Sequence, residues 1–239
     1  MPKLGRVNMA EKLRFSGKIL SARISRTADW WFVSITVEMP DVLAENPRPP
    51  VGIDVGLNRL ATLSDGRRYE NQRPLRHLLK KLRRLNKELA RRTKGGKNWQ
   101  KTRSKLGRLH YRIACLRADL LHKLTTEVAK TSGLVAVEDL HVKGLIQNRC
   151  LSRSFSDAAL GKLLDLLESK VPRAGGRLVK VGRFYPSSQL CHRCGSRRAD
   201  LTLDERIYVC QNPTCGYVGD RDENASHNIV QQALRLVGP

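Results

Sequence analysis

The spacing of apolar residues separates a strand-rich beginning of the chain from a helix-rich middle. Between residues 15 and 38, Ile35 and Val37 alternate with polar residues and "SRTAD" supplies a turn, which together predict a β-hairpin. The stretch "MPDVLAENPRPP" contains four prolines and predicts a linker. The short apolar runs in "VGIDVG", "RLATLSDG" and "RRYE" predict three further strands.

From Leu75 onward, the apolar period lengthens to that of an α-helix. Leucines mark one helix face from Leu75 to Leu89, and a second apolar face runs from Leu106 to Val128. The basic, glycine-containing sequence "TKGGKN" lies between the two faces. We therefore predict two helices joined by a turn, a helical hairpin that spans residues 73–130.

The second half of the chain predicts alternating strands and helices. "GLVAVEDL" has the pattern of a buried strand that ends in acids, residues 156–171 have a helical pattern, "RLVKVGRF" is strand-like, and "ENASHNIVQQALRLV" closes the chain as a helix. With the earlier strands, this order predicts an α/β domain around one central sheet. A cysteine-rich module is inserted before the last helix.

The net charge of the chain indicates the class of molecule that it binds. Its 239 residues include 45 Lys and Arg against 22 Asp and Glu, a net charge of +23. Such an excess predicts a polyanionic partner, and nucleic acid is favoured over the rival, a membrane surface. No apolar run approaches the roughly 18 residues of a membrane span, and the region after Met1 lacks a signal-peptide pattern. We expect a soluble cytoplasmic protein that makes no membrane contact.

Four of the six cysteines form two pairs, "CHRC" and "CQNPTC", that are fifteen residues apart. The four are Cys191, Cys194, Cys210 and Cys215. Zinc takes four thiolate or imidazole ligands in a tetrahedron, so this spacing predicts one structural zinc ion in a zinc ribbon. The residues between the pairs predict a short hairpin in which "RIYV" is one strand.

Other arrangements of these cysteines remain open. Two disulfides or four unrelated thiols are the alternatives, and His192 could replace a cysteine as a ligand, although we favour the cysteines. Cys115 and Cys150 have no partner at ligand spacing. Cys115 lies near the apolar face of its predicted helix, and we expect it in the core.

Carboxylates occur in places where a charge is costly. Asp54 interrupts an apolar strand, Glu138 ends another, and Asp220 and Asp222 precede the last helix. Singly, they have ordinary interpretations: a turn former, an acid at a strand end, and an N-cap. Together, Asp54, Glu138 and the acid before the helix would repel one another unless divalent cations bind between them. Two Mg²⁺ or Mn²⁺ ions would suit phosphodiester cleavage, so the residues predict a metal-dependent nuclease.

The helical hairpin is strongly basic. Between Arg73 and Arg112, sixteen Lys or Arg residues face one acid, Glu88. A solvated helix face is the alternative, but such faces mix both signs, so phosphate binding is favoured. Few aromatic residues are interspersed, which predicts charge neutralisation rather than base stacking. The candidate phosphate-binding residues are Arg76, Lys80, Arg83, Arg84, Lys87, Arg91, Arg92, Lys94, Lys97, Lys101, Arg103, Lys105, Arg108 and Arg112.

The segments that carry the acids resemble the three RuvC motifs of the TnpB/OrfB proteins of insertion sequences. These segments are "GIDVGLNRLATLSDG", "LVAVEDL" and "CGYVGDRDENASHNI", and "PSSQLCHRCG" resembles the start of that family's zinc ribbon. The resemblance implies an RNase H-like (RuvC) domain over residues 41–185, a ribbon over 186–219 and the last RuvC motif and helix over 220–239. Residues 1–40 resemble only part of a wedge β-barrel.

The resemblance also implies an activity and its partners. Members of this family, which is related to type V CRISPR effectors, are RNA-guided DNA endonucleases of transposable elements, with guide RNA and target DNA as partners in the prokaryotic nucleoid. It implies that Asp54, Glu138 and Asp222 bind the catalytic ions. Asp222 is preferred over Asp220 because the family pattern Asp-x-Asn-Ala is matched by "DENAS". Asp220 keeps a supporting role.

One departure from the family keeps other functions open. The N-terminal part is short, and the helical lobe that would hold a guide–target duplex has no counterpart in this sequence. A second protein chain is a candidate source of this lobe. The alternatives are a cleavage-inactive nucleic-acid-binding remnant or regulator, and a nuclease that needs no guide.

Overall fold

The computed structural model describes residues 7–39, 46–202 and 204–238. At the N-terminal end, β1 (Ile19–Thr27) and β2 (Trp30–Val37) form the predicted hairpin, with antiparallel pairing. Ala28 makes its turn in the left-handed conformation, at φ 53°. Part of the predicted linker, residues 40–45, lies outside the described residues.

A five-stranded mixed sheet forms the centre of the molecule. Its strands are β3 (Val51–Val55), β4 (Arg59–Leu63), β5 (Arg68–Glu70), β6 (Leu134–Glu138) and β7 (Arg177–Val181). Their order across the sheet is β5-β4-β3-β6-β7. The central strand β3 pairs in parallel with β6, which pairs in parallel with β7, while β4 and β5 are antiparallel. All five strands were predicted, and their parallel half places the ends of β3 and β6 at one edge.

The predicted helical hairpin consists of α1 (Pro74–Ala90) and α2 (Lys97–Thr131). Along their length, the two helices are held by apolar contacts among Leu85, Leu109 and Ile113. The base of the hairpin is held by the carboxylate of Asp157.

Asp157 fixes the base of the helical hairpin from a distant element. Its two carboxylate oxygens accept hydrogen bonds from the first-turn backbone N–H groups of Leu75 and Arg76, each at 3.0 Å. The guanidinium of Arg117 on α2 donates to the same carboxylate at 2.9 and 3.1 Å. Asp157 therefore satisfies the free N–H groups at the start of α1 and links α1 to α2. It is only 5% exposed, so the link is shielded from solvent.

Three features differ from the prediction. The helix expected over residues 156–171 is two helices, α4 (Ser152–Ala158) and α5 (Leu160–Arg173), because Ala159 between them is left-handed at φ 52°. A short helix, α3 (Val142–Gln147), was not predicted. The expectation that Cys115 lies in the core is wrong: the residue is exposed on α2.

Helices cover both faces of the sheet. On one face, α2 and α5 bury Leu124, Val128 and Leu163 against β3 and β6. On the other face lies α6 (Arg221–Val237), which buries Ile229 and Ala233. The crossing of α6 over β3 is so close that a Cβ at Gly52 would lie 2.0 Å from a backbone oxygen of α6, so this position requires glycine. That approach brings the start of α6 to the edge where β3 ends.

The cysteine module leads directly into α6. Its strands β8 (Ile207–Val209) and β9 (Val218–Asp220) pair antiparallel. The prediction had placed this hairpin wholly between the cysteine pairs, but the partner strand β9 follows the second pair. Because β9 ends at Asp220 and α6 begins at Arg221, the module fixes the position of the helix start.

Candidate functional site

The structure brings the three predicted acids to one open cleft of about 490 Å³. Asp54 lies on β3, Glu138 ends β6, and Asp222 lies in the first turn of α6. Ile53 and Val137 are paired in parallel register, so the acids that follow them lie side by side on neighbouring strands. The close crossing of α6 over β3 adds the third acid.

The electrostatics of the cleft show that its acids act on one another. Asp54 is enclosed by protein atoms, although part of its surface is still accessible from the cleft. Burial raises the pKa of Asp54 well above its usual value, and the negative charges of Glu138 and Asp222 raise it further. A divalent cation would remove this repulsion, because opposite charge favours the ionised carboxylates.

Asp220 has a different environment from Asp222. It is the N-cap of α6, because its side chain accepts hydrogen bonds from the backbone N–H groups of Asp222 and Glu223. It also forms an ion pair with Arg59 at 2.6 Å. Burial alone would raise the pKa of Asp220, but the hydrogen bond from Arg59 and the N–H of Glu223 outweigh it and lower that pKa. The N-cap role considered for Asp222 therefore belongs to Asp220.

Sequence analysis missed Ser187, a buried residue that contacts this site. Its hydroxyl donates a hydrogen bond to Oε1 of Glu138, 49 positions earlier in the chain. The residue belongs to "PSSQL", which the sequence marked only as the approach to the first cysteine pair. A serine in a loop gives no sequence signal of the acid that it contacts.

The four predicted cysteines meet at one point. Their sulfur atoms all lie within 4.8 Å of one another, with Cys194 and Cys210 at 3.5 Å and Cys191 and Cys215 at 3.8 Å. A regular tetrahedron with Zn–S bonds of about 2.3 Å has edges of about 3.8 Å, whereas a disulfide bond is about 2.05 Å long. Without a metal ion, the backbone N–H of Ser196 lowers the pKa of Cys194 to about 7, whereas burial raises the pKa of Cys210 to about 12. The cluster can hold a metal ion, and its geometry disfavours disulfides.

His192 lies beside the cluster but is directed to α6. Its backbone N–H donates to Oδ1 of Asn224, and its ring Nδ1 lies 3.1 Å from the same oxygen. The ring stacks on His227 at 4.7 Å and meets the edge of Tyr217 at 4.4 Å. These contacts give His192 a role in joining the module to the helix.

The two clusters differ in how tightly they are drawn together. Among the described residues, the four cysteines are the set of three or more ligand-type side chains whose ligand atoms all lie within 4.8 Å. The three carboxylates are more widely spaced around their cleft.

The basic hairpin exposes nearly all of its predicted cationic side chains. Among the predicted phosphate-binding residues, Arg92 is half-buried and paired with Glu88, while the others are exposed. Arg108 forms an ion pair at 2.6 Å with Asp29 in the turn of the β1–β2 hairpin. Among the described residues, no helix is both long and apolar enough to cross a membrane.

Comparison with known families gives two matches along the chain. Residues 34–149 match the OrfB family of IS605 elements, described as "Probable transposase". Residues 161–229 match the TNB domain of Cas12f1-like proteins. The first match includes Asp54 and Glu138, and the second includes the four cysteines and Asp222.

Curated proteins of similar sequence agree with these two family matches. A "Putative RNA-guided DNA endonuclease" of Streptomyces pristinaespiralis is 40% identical over 85% of this chain and 50% of its own length. The "Putative RNA-guided DNA endonuclease InsQ" of Escherichia coli K12 is 32% identical over 96% of this chain and 60% of its own length. The chain thus spans only about half the length of these curated relatives.

A solved structure supports the fold. The cryo-EM structure of a Cas12f1–sgRNA–target DNA complex superposes with a TM-score of 0.53 at 17% identity, covering 87% of this chain and 55% of that one. This similarity concerns the fold alone. The family matches and the curated relatives lead to one assignment: the chain belongs to the TnpB/OrfB family.

Proposed function

We propose that this chain is the catalytic part of an RNA-guided, divalent-metal-dependent DNA endonuclease of the TnpB type, associated with a transposable element. The observation that carries the proposal is the meeting of Asp54, Glu138 and Asp222 in one cleft, where burial and then the charges of the latter two raise the pKa of the first. The names of the curated relatives support the same activity. The parallel strands β3, β6 and β7 support an RNase H-like, RuvC-type domain over residues 41–185 and 220–239.

The proposed chemistry is hydrolysis of a phosphodiester bond. Two Mg²⁺ or Mn²⁺ ions, when bound, would activate the attacking water and stabilise the leaving oxygen. Asp54 and Glu138 provide carboxylate oxygens from rigid strands, and Asp222 provides one from the first turn of α6. Asp220 holds that first turn in place through its bonds to two backbone N–H groups.

We assign the ribbon, residues 186–219, a structural role with one Zn²⁺ ion. Cys191, Cys194, Cys210 and Cys215 would complete the coordination of the ion and leave no position for water. Such a closed site does not catalyse hydrolysis itself. Its contribution is to fix β9 and, through β9, the start of α6.

Guide RNA and target DNA are the proposed partners. The exposed cations of the helical hairpin would neutralise phosphates without reading sequence, in keeping with a net charge of +23. The β1–β2 hairpin is assigned to part of a wedge β-barrel, over residues 1–40. We place the assembly in the prokaryotic cytoplasm, at the nucleoid.

The proposal is tested by cleavage in the presence of the native guide RNA, any partner chain and Mg²⁺ or Mn²⁺. Asp54→Ala, Glu138→Ala and Asp222→Ala should each abolish cleavage while nucleic-acid binding is retained. Double variants should lose little more than single ones, because residues that act as a unit fail as a unit. Cleavage that survives any of these substitutions would remove that residue from the catalytic set.

A second candidate function, favoured by the exposed cations of the helical hairpin, is nucleic-acid binding without cleavage. Such a remnant or regulator would bind phosphates through the basic hairpin and would not cut. Tight binding with no cleavage by the wild-type protein under any of these conditions would support this remnant or regulator and reject the nuclease.

A further inference from the structure

A short loop connects the carboxylate cleft to the cysteine module. It follows β7 and runs from Tyr185 to Leu190, directly before Cys191, the first cysteine of the module. Ser187 in this loop is only 5% exposed and directs its hydroxyl to Oε1 of Glu138. The loop thus contacts a predicted metal-binding carboxylate on β6 directly.

The loop is held from behind by α6, the helix that carries Asp222. The side-chain amide of Asn228 donates to the carbonyl oxygens of Ser187 and Leu190 at 2.8 and 2.7 Å. The amide of Asn224 donates to the same Leu190 carbonyl at 2.6 Å. Both asparagines are buried: Asn224 is 0% exposed and Asn228 is 2% exposed. Because the backbone carbonyls of Ser187 and Leu190 are both held by α6, the Ser187 hydroxyl has a defined position relative to that helix.

A serine hydroxyl is a suitable hydrogen-bond donor to a carboxylate that also binds a metal ion. A serine hydroxyl is neutral, so it can orient one oxygen of Glu138 without cancelling the charge that attracts a cation. Asp220 shows the contrasting case, because its carboxylate is neutralised by Arg59 at 2.6 Å. The hydrogen bond to Oε1 leaves Oε2 of Glu138 available to an ion.

We propose that Ser187 is a positioning residue that holds the Glu138 carboxylate for divalent-cation binding and couples it to α6. This inference rests on the proposed function, since it assumes that Glu138 is a metal ligand. Partners that orient a ligand in this way typically change metal affinity by 10–100-fold when they are removed. An interaction that served only to satisfy a buried hydroxyl would leave metal affinity unchanged.

The test uses the zinc-loaded full chain and Mn²⁺ alone as the probe, with bound Mn²⁺ measured by electron paramagnetic resonance. Ser187→Ala should weaken Mn²⁺ binding by roughly 10–100-fold. Ser188→Ala is the matched control, because Ser188 lines the same cleft; it should bind as the wild type does. Ser187→Thr keeps the hydroxyl and should restore most of the affinity.

The outcomes separate this inference from the proposed function. If Glu138→Ala leaves Mn²⁺ binding unchanged, the metal site itself is wrongly assigned. If Glu138→Ala weakens binding but Ser187→Ala does not, only the positioning role is overturned. Equal losses in Ser187→Ala and Ser187→Thr would also overturn it, since the hydroxyl would then make no difference. Cleavage assays should show a higher Mg²⁺ requirement for Ser187→Ala, with less change at saturating Mg²⁺.

Discussion

The carboxylate cleft and the cysteine module are two clusters of ligand-type side chains that are built in opposite ways. The cysteines come before β9, and the cleft lies where β9 leads into α6. The cysteines come from one short stretch of chain, and their sulfurs lie within 4.8 Å of one another. The carboxylates come from β3, β6 and α6 and surround an open cleft. A closed cluster suits a metal that stabilises structure, and an open cluster suits metals that must reach a substrate.

This comparison predicts that damage to the two clusters has different consequences. Losing a cysteine should unfold the module, because metal binding supplies a large part of the folding free energy of such small modules. Losing a carboxylate should remove activity and leave the fold intact, because the sheet and α6 are held by apolar contacts such as those of Ile229 and Ala233.

The largest expected effect is that of Cys194→Ser. Structural zinc in small modules contributes on the order of 10 kcal/mol of folding free energy, so the variant should release its zinc ion and unfold the module. Elemental analysis should fall from one zinc per chain to none, and hydrogen exchange should quicken over residues 191–220. Cys115→Ser is the control, because Cys115 is exposed and outside the cluster. Wild-type protein purified without chelator that contains no zinc would contradict the assignment.

Asp54→Asn should show the reverse pattern. It should abolish cleavage, yet raise the melting temperature of protein free of divalent cations, because it relieves the burial and repulsion that raise the pKa of Asp54. Each kcal/mol relieved corresponds to about 2–4 °C in a domain of this size. Calorimetry in chelator measures the change. A lower melting temperature would show that the Asp54 charge stabilises the fold, and the contrast between the clusters would fail.

Asp220→Ala tests the residue that lies between the cysteine module and the carboxylate cleft, at the end of β9. The variant loses the N-cap of α6 and leaves Arg59 without this partner, so it should be less stable by about 1–2 kcal/mol. Cleavage should survive below the melting temperature, unlike in Asp222→Ala. Equal loss of activity in the two variants would show that Asp220 also binds the ions.

The stability difference caused by Asp220→Ala should depend on pH in a defined direction. The pKa of Asp220 is lowered in the folded protein, so its contribution is fully present above the unfolded pKa of about 3.9. It should disappear as the pH falls through the lower folded value. Denaturant titrations of wild type and variant at pH 7 and at decreasing acid pH measure the difference. A difference that grows on acidification would contradict the assigned interactions.

The smallest expected effect concerns the basic hairpin, whose cationic side chains are nearly all exposed. Replacing Arg83, Arg84 and Arg91 with Ala should weaken nucleic-acid binding and flatten its salt dependence by about 0.9 log units per lost duplex phosphate contact. Arg92→Ala is the matched control, because Arg92 is already paired with Glu88. An unchanged slope in the triple variant would show that these side chains form only a solvated face.

Local patterns predicted much of this molecule. Sequence patterns predicted the cysteine pairs, the strands of the sheet and the helical hairpin, because each depends on residues close together in the chain. The break at Ala159 was missed, because an alanine in the left-handed region has no sequence signal. The exposure of Cys115 was missed because the burial of a helix face depends on what packs against it.

The sequence by itself determined the charge, the ligand types and the family to which the chain belongs. The resemblance in the sequence named Asp54, Glu138 and Asp222, but only the tertiary structure decided how these distant residues meet, through parallel pairing and the crossing of α6. It also gave Arg59 to Asp220 and the Ser187 hydroxyl to Glu138. Such contacts are set by the packing of separate elements, and no local spacing encodes the partner of a buried polar side chain.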